Sequence, residues 1–187
     1  MNSESQLIEL AVQGDHAAFT RLVELHQNRL YASMLQVTGS AEEAEDVVQE
    51  AFIRAFMKLH SFQGNSQFFT WIYRIAFNFA LTRRRRNRSK VSLDQLRESG
   101  GTEIVVDQEA AEEPLLRLER VVVVREALKE LSEDHRAILV LREMEGFSYE
   151  EISEITQISI GTVRSRLSRA RSQLKLLIES ISQDPLS

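Results

Sequence analysis

The residues with the most chemistry to offer lie between Asp46 and Lys90, where an acidic stretch, a cluster of rings and a run of arginines follow one another. Phe62, Phe68, Phe69, Trp71, Tyr73, Phe77 and Phe79 supply more than half of the chain's aromatic residues, and Arg83, Arg84, Arg85, Arg86, Arg88 and Lys90 come directly after them. Rings beside fixed positive charge suit single-stranded nucleic acid. An unstacked base offers its face to a ring and its phosphate to a guanidinium, at about 1–3 kcal/mol per stacked base. The spacing of Trp71, Ile75 and Phe79 (i, i+4, i+8), taken alone, favours a core row instead. Four successive arginines cannot all face one way on a helix, so part of the run is solvated or lies along a backbone.

A second constellation lies near the C-terminus. Ser148-Tyr149-Glu150-Glu151 has the spacing of a capping box, Ile152 and Ile155 are apolar, and Thr156 to Ser159 reads as a short turn. Gly161 then opens a helix with Val163, Leu167, Ala170 and Leu174 at i, i+4, i+7 and i+11. Two short helices joined by a tight turn, the second basic, form a helix-turn-helix pattern. At about 100° per residue, Arg164, Ser165, Ser168, Arg169 and Ser172 fall opposite the apolar stripe. Small serines beside arginines let such a helix sit deep in a major groove, where arginine pairs with guanine or holds phosphate. Arg166 and Arg171 flank the stripe and suit structural or backbone contacts.

These groups need elements to hold them. Two prolines, seven glycines and an abundance of Leu, Glu, Arg and Ala favour helix throughout. A first helix is expected over Ser5 to Val12, and a second, capped by Asp15, from His16 to about Val37, with Phe19, Leu22, Val23, Leu30, Met34 and Leu35 inward. Ser40, with Glu43 three residues on, caps a third helix reaching about Leu59, whose stripe is Val48, Ala51, Phe52, Ala55, Phe56 and Leu59. Glu42 and Glu43 are explained by the helix dipole, whereas Asp46, Gln49 and Glu50, at i, i+3 and i+4, form a polar face beyond its reach and suit a partner surface. Ser61 to Gln67 is a polar turn containing Gly64, and Thr70 opens the aromatic helix into Arg86. Pro114 begins a helix to about Leu131 with Leu115, Leu118, Val121, Val122, Arg125 and Leu128 inward. Ser132 caps one continuous helix from Glu133 to Glu145, which Gly146 ends. The expected fold is therefore all-α: two small helical domains, 1–90 and 114–187, joined by a flexible linker over 91–113.

The net charge of −5 does not argue against a nucleic-acid partner, because it is unevenly spread. Residues 1–90 carry 11 Lys/Arg against 9 Asp/Glu, residues 91–113 carry 1 against 7, and residues 114–187 carry 11 against 12. The acidity belongs mainly to the linker, and it is the local stripe that governs phosphate contact. With no cysteine there are no disulfides, thiolate zinc sites or cysteine nucleophile. The absence of a basic leader and of any 18-residue apolar run points to a soluble cytoplasmic protein without membrane insertion. His16, His26, His60 and His135 show no metal-ligand spacing and no glycine-rich phosphate loop is present, so neither catalysis nor a metal or other cofactor is expected.

Three co-linear motifs carry a family resemblance: Asp46-Val47-Val48-Gln49-Glu50-Ala51-Phe52, Phe69-Thr70-Trp71-Ile72-Tyr73-Arg74-Ile75-Ala76, and Ser148-Tyr149-Glu150-Glu151-Ile152 through Gly161-Thr162-Val163-Arg164-Ser165-Arg166. Together they resemble the extracytoplasmic-function sigma factors of bacteria. The resemblance implies that Asp46, Gln49 and Glu50 dock on the clamp helices of core RNA polymerase, whose flap is a further contact. It implies that Phe62, Asn65 and Ser66 hold a base flipped from the minus-ten element of promoter DNA, and that Trp71, Arg74, Asn78, Arg83, Arg84, Arg85 and Arg86 stabilise the melted strand. Thr162, Arg164, Ser165, Ser168 and Arg169 then contact the minus-thirty-five element; Ser168 stands where many relatives carry a bulky side chain. An anti-sigma factor is a further partner that the resemblance allows. A stand-alone helix-turn-helix regulator accounts for 147–175 equally well, but gives no reason for the constellation from Asp46 to Arg88.

Overall fold

The computed structural model describes residues 3–91 and 112–183, with side chains for 3–84 and 121–183. Among the described residues all regular structure is helical, and the chain divides into two compact units, one built on helices α1–α4 and the other on α5–α8.

In the N-terminal unit, α1 (Glu4–Val12) and α2 (His16–Thr38) each start on a side-chain cap. Ser3 and Gln6 form a reciprocal box, and the Asp15 carboxylate accepts from the amides of Ala17 and Ala18. Gly39 stops α2 in the left-handed region at φ 74°, its amide bonded to the Leu35 carbonyl. Helix α3 (Ala41–Lys58) starts on Ser40, which accepts from the Glu43 amide. The expected reciprocal half of that cap is replaced: the Ser40 amide donates to Thr38 Oγ1, and the Glu43 carboxylate lies 3.9 Å from Arg84. A 3-10 turn (Leu59–Ser61) leads to the loop before α4 (Phe68–Val91). Helix α4 begins two residues earlier than Thr70, because Phe68 and Phe69 are buried and the Gln67 carbonyl already accepts from the Trp71 amide.

The core of this unit is the space between α2, α3 and α4, filled by Leu22, Leu30 and Met34, by Val47, Ala51 and Ala55, and by Phe68, Ile72, Tyr73, Ala76 and Phe77. Each large apolar side chain removed from water there contributes about 1.5–3 kcal/mol. Alanines on α3 let α4 approach closely. Two expected rows are shifted. Val47 rather than Val48 faces inward, with Phe56 exposed, and Trp71, Ile75 and Phe79 are half-buried flanks instead of the core row. The cause is the wider apolar strip one residue away, from Phe68 to Ala80, which buries more surface than the single row could.

In the C-terminal unit, α5 (Glu112–Glu130) starts two residues before Pro114, where a proline remains tolerable because first-turn amides have no intrahelical acceptor. Among its described side chains Ala127 and Leu128 are buried, as is Leu131 just past its end, while Val121 and Val122, expected inward, are exposed; Leu115 and Leu118 lie outside the described side chains. Helix α6 (Glu133–Leu139), capped by Ser132, does not continue to Glu145 as one α-helix. It passes into a π turn over Val140–Met144, the Glu145 amide bonding to the Val140 carbonyl five residues back. Gly146 at φ 75° then reverses the chain. Helices α7 (Tyr149–Thr156) and α8 (Ile160–Gln183) follow, and Ile152, Ile155, Val163, Leu167 and Ala170 are almost wholly buried among them.

Candidate nucleic-acid interfaces

The loop from Ser61 to Gln67 is held over the start of α4 by rings. Phe62 lies 5.8 Å from Phe68 and 5.2 Å from Trp71, and Phe68 lies 5.8 Å from Trp71, all tilted or edge-on. Half-buried Phe62 thus anchors the loop. Gly64, at φ 71°, turns the chain so that exposed Asn65 and half-buried Ser66 form the tip, with Asn65 Nδ2 donating to Gln63 Oε1 at 3.1 Å. Beyond the loop, half-buried Trp71 and Arg74 and exposed Asn78 share one side of α4, spaced i, i+3 and i+7.

The arginine run divides. Arg83 pairs with Asp46 of α3 at 2.7 Å. Arg84 turns inward: its side chain is only 15% exposed, it donates to the Thr38 carbonyl, and it faces Glu43 at 3.9 Å. That ties the end of α4 to the corner between α2 and α3 and takes Arg84 off the expected outward row. Arg85 and Arg86 lie within α4 where side chains fall outside the described residues.

On α3, Asp46 and Glu50 are half-buried and Gln49 is exposed. Glu50 accepts from Arg54 at 2.6 Å, and the Arg54 guanidinium lies 4.6 Å from the centre of the Phe79 ring. In the sequence Arg54 is marked only by its i, i+4 spacing from Glu50, the spacing of a helix-surface pair. Ile53, Phe56 and Met57 continue this surface as an exposed apolar strip. On α2, Arg29 lies 3.9 Å over the Phe69 ring, and His26 sits 5.5 and 5.8 Å from the rings of Phe68 and Phe69, with Glu4 at 3.2 Å. Burial lowers the His26 pKa, opposed by Glu4 and assisted by Arg29. Neither residue carries a motif that would mark it.

In the second unit the cap expected at Ser148 is present in full: its amide donates to Glu151 Oε2 at 2.9 Å, and the Glu151 amide donates to Ser148 Oγ at 3.1 Å. Gln157 adopts a left-handed φ of 58° in the turn, and Ser153 Oγ donates to the Ile158 carbonyl at 2.6 Å, so α7 and α8 meet in a tight helix-turn-helix. Ser159 caps α8, accepting from the Thr162 amide at 3.2 Å and meeting the half-buried Thr162 hydroxyl at 2.8 Å. The basic residues of α8 then sort by partner. Arg166 pairs with Asp134 at 3.1 Å, and Arg171 donates through two nitrogens to Glu143 at 2.9 and 2.6 Å. Arg164 and Arg169 are exposed and have no carboxylate partner among the described residues. Ser165 and Ser168 are exposed beside them, the Ser165 hydroxyl donating back to the Thr162 carbonyl. Tyr149, which the motif marked only as part of a cap, places its ring 5.1 Å from Arg142 and 5.9 Å from Arg164. Two cations without a carboxylate on a smooth helix face, with the remaining arginines neutralised at its edges, fit a groove lined by phosphate.

Residues 22–90 match the family model of sigma-70 region 2, and residues 122–174 match that of sigma-70 region 4. The RNA polymerase sigma-H factor of Pseudomonas aeruginosa is 38% identical over 97% of this chain and 96% of its own length. The ECF RNA polymerase sigma-E factor of Haemophilus influenzae is 39% identical over 96% of this chain and 97% of its own. The chain therefore belongs to the extracytoplasmic-function sigma factors of the sigma-70 family. A solved structure of the sigma factor RpoE in complex with the anti-sigma factor NepR from Bartonella quintana superposes with a TM-score of 0.71 at 29% identity, covering 86% of this chain and 96% of that one.

Proposed function

We propose that this protein joins core RNA polymerase and directs it to a set of promoters, with residues 1–90 as the melting domain, 91–113 as a linker and 114–187 as the minus-thirty-five domain. The observation that carries the reading is the presence, on one chain and in order, of region 2 with an acidic face and a ring-anchored polar loop, and region 4 with a basic face on its second motif helix. Asp46, Gln49 and Glu50 supply the polymerase contact. Asn65 and Ser66 read a flipped base while Phe62 and Trp71 shape its pocket, and Arg74, Asn78 and Arg83 steady the strand. Extruding a base costs a few kcal/mol, which the loop contacts offset. Thr162, Arg164, Ser165, Ser168 and Arg169 engage duplex DNA upstream. The protein works in the cytoplasm by binding alone, the polymerase supplying the chemistry, and an anti-sigma factor is the partner that keeps it from the polymerase.

Run-off transcription on a promoter library with core polymerase tests this. Transcripts that need the protein, and that vanish when Asp46 and Glu50 are both changed to Lys, are expected. Specific DNA binding with no polymerase-dependent transcripts would leave a stand-alone regulator.

A further inference from the structure

The acidic face of α3 and the arginine-bearing end of α4 belong, in the function proposed above, to different partners. One ion pair joins them. Asp46 Oδ2 and Arg83 Nη1 meet at 2.7 Å, although 37 residues separate them in the chain. The side chains of Arg83 and Asp46 are 34% and 45% exposed, so an incoming charge can compete for either. Glu50 differs, because its partner Arg54 lies on the same helix, so that ion pair joins no second charged surface. At about 100° per residue, Arg83 also lies roughly 140° around α4 from Asn78, so its guanidinium is drawn towards α3 and away from the row of Trp71, Arg74 and Asn78.

We infer that the Asp46–Arg83 pair couples polymerase docking to capture of the melted strand. In the free protein each residue occupies the other. A cationic group of the polymerase that takes the Asp46 carboxylate releases Arg83 to swing towards phosphate, and a phosphate that takes Arg83 leaves Asp46 open. Both steps are exchanges of ion pairs, with no covalent change. Linkage makes the effect reciprocal, so each partner strengthens the other's binding by the same factor. For a partly exposed pair that factor is about two- to fivefold. The inference rests on the assignment of α3 to the polymerase and of the end of α4 to the DNA.

The test uses the full chain and two affinities, one for core polymerase and one for a short mixed-sequence single-stranded DNA, each for the wild type and for Asp46→Asn, Arg83→Gln, Arg83→Lys and Glu45→Gln. Glu45 is exposed beside Asp46 and has no ion pair among the described residues, so its variant makes the same charge change without touching the pair. Arg83→Gln is expected to tighten polymerase binding about two- to fivefold, with Arg83→Lys close to wild type. Asp46→Asn is expected to tighten binding of the free protein to the DNA by a similar factor, and by more than Glu45→Gln does. If Asp46→Asn weakens polymerase binding while Arg83→Gln leaves it unchanged, the coupling is overturned and the docking assignment survives. If Asp46→Asn leaves polymerase binding unchanged, the docking assignment falls and the coupling with it.

Discussion

The hydroxyls of Ser33 and Tyr73 meet at 2.9 Å inside the N-terminal unit, 40 residues apart in the chain and both almost wholly buried. This polar link fixes the register of α4 against α2, and with it the direction in which Trp71 and Arg74 leave the helix. Ser33→Ala removes a buried partner of the phenol and is expected to cost about 1–3 kcal/mol. Adding Tyr73→Phe removes the other hydroxyl of the pair and is expected to restore part of that loss. Urea unfolding of the two single variants and the double variant measures the coupling, and additive losses would show that the two hydroxyls act independently.

Gly64 sits at φ 71° with nothing within 4 Å of where a Cβ would lie, so any penalty for a side chain there comes from the backbone. Gly64→Ala is expected to cost about 1 kcal/mol of loop stability, and Gly64→Asn less, because asparagine visits the left-handed region more readily. Permanganate footprinting of open complexes should show melting reduced most by Ala and less by Asn, with polymerase affinity unchanged. Equal reductions in the two variants would point to side-chain volume at the loop tip instead.

Arg164 and Arg169 are expected to carry the upstream DNA contact, and Arg166 and Arg171 to support it from within the unit. Arg164→Ala should weaken holoenzyme binding to a minus-thirty-five duplex by about 1–3 kcal/mol if it pairs with a base edge. Arg169→Ala, if that guanidinium grips a phosphate, should lower the salt dependence of binding by about one counterion. Arg171→Gln should leave the salt dependence intact. Titration of binding against salt concentration for each variant distinguishes these roles.

His26 predicts a pH effect of known sign. Its unfolded pKa is about 6.5, and burial against Phe68 and Phe69 lowers the folded value. Above about pH 7.5 both states are neutral there and His26 contributes no pH dependence. As the pH falls below that value the unfolded chain takes up the proton first, so the folded unit loses stability until the lower folded pKa is reached. Thermal unfolding between about pH 7.5 and 5.5 should decline more steeply for the wild type than for His26→Gln; parallel profiles would assign the decline to other groups.

Much of this architecture is legible in the residues, and the exceptions have physical causes. Asp15, Ser40, Ser132 and Ser148 mark helix starts because caps satisfy amides locally, and each cap is found where the residue types place it. Periodicity locates α4 but not its inward side. Trp71, Ile75 and Phe79 form one apolar row and Phe68, Ile72, Tyr73 and Ala76 another, and which of them is covered depends on the alanines of α3, a tertiary matter. The π turn at Val140–Met144 has no local signature, since its residues are ordinary helix formers. The direct contact of Asp46 with Arg83 and the inward turn of Arg84 depend on the angle between α3 and α4, which neither motif encodes. The partner-facing roles of Asp46, Asn65 and Arg164 come from the family resemblance, while the structure supplies their surroundings.

The separation of labour along α8 has a consequence for how such proteins diverge. Val163, Leu167 and Ala170 are buried and hold the helix in place, while Arg164, Ser165, Ser168 and Arg169 are exposed on its other side. Substitutions on the outward face are therefore close to neutral for folding. If that face reads the promoter as proposed, a duplicated copy of the gene can drift to a new set of promoters by one exposed residue at a time, with Ser168 open to a larger side chain and no unstable intermediate on the way.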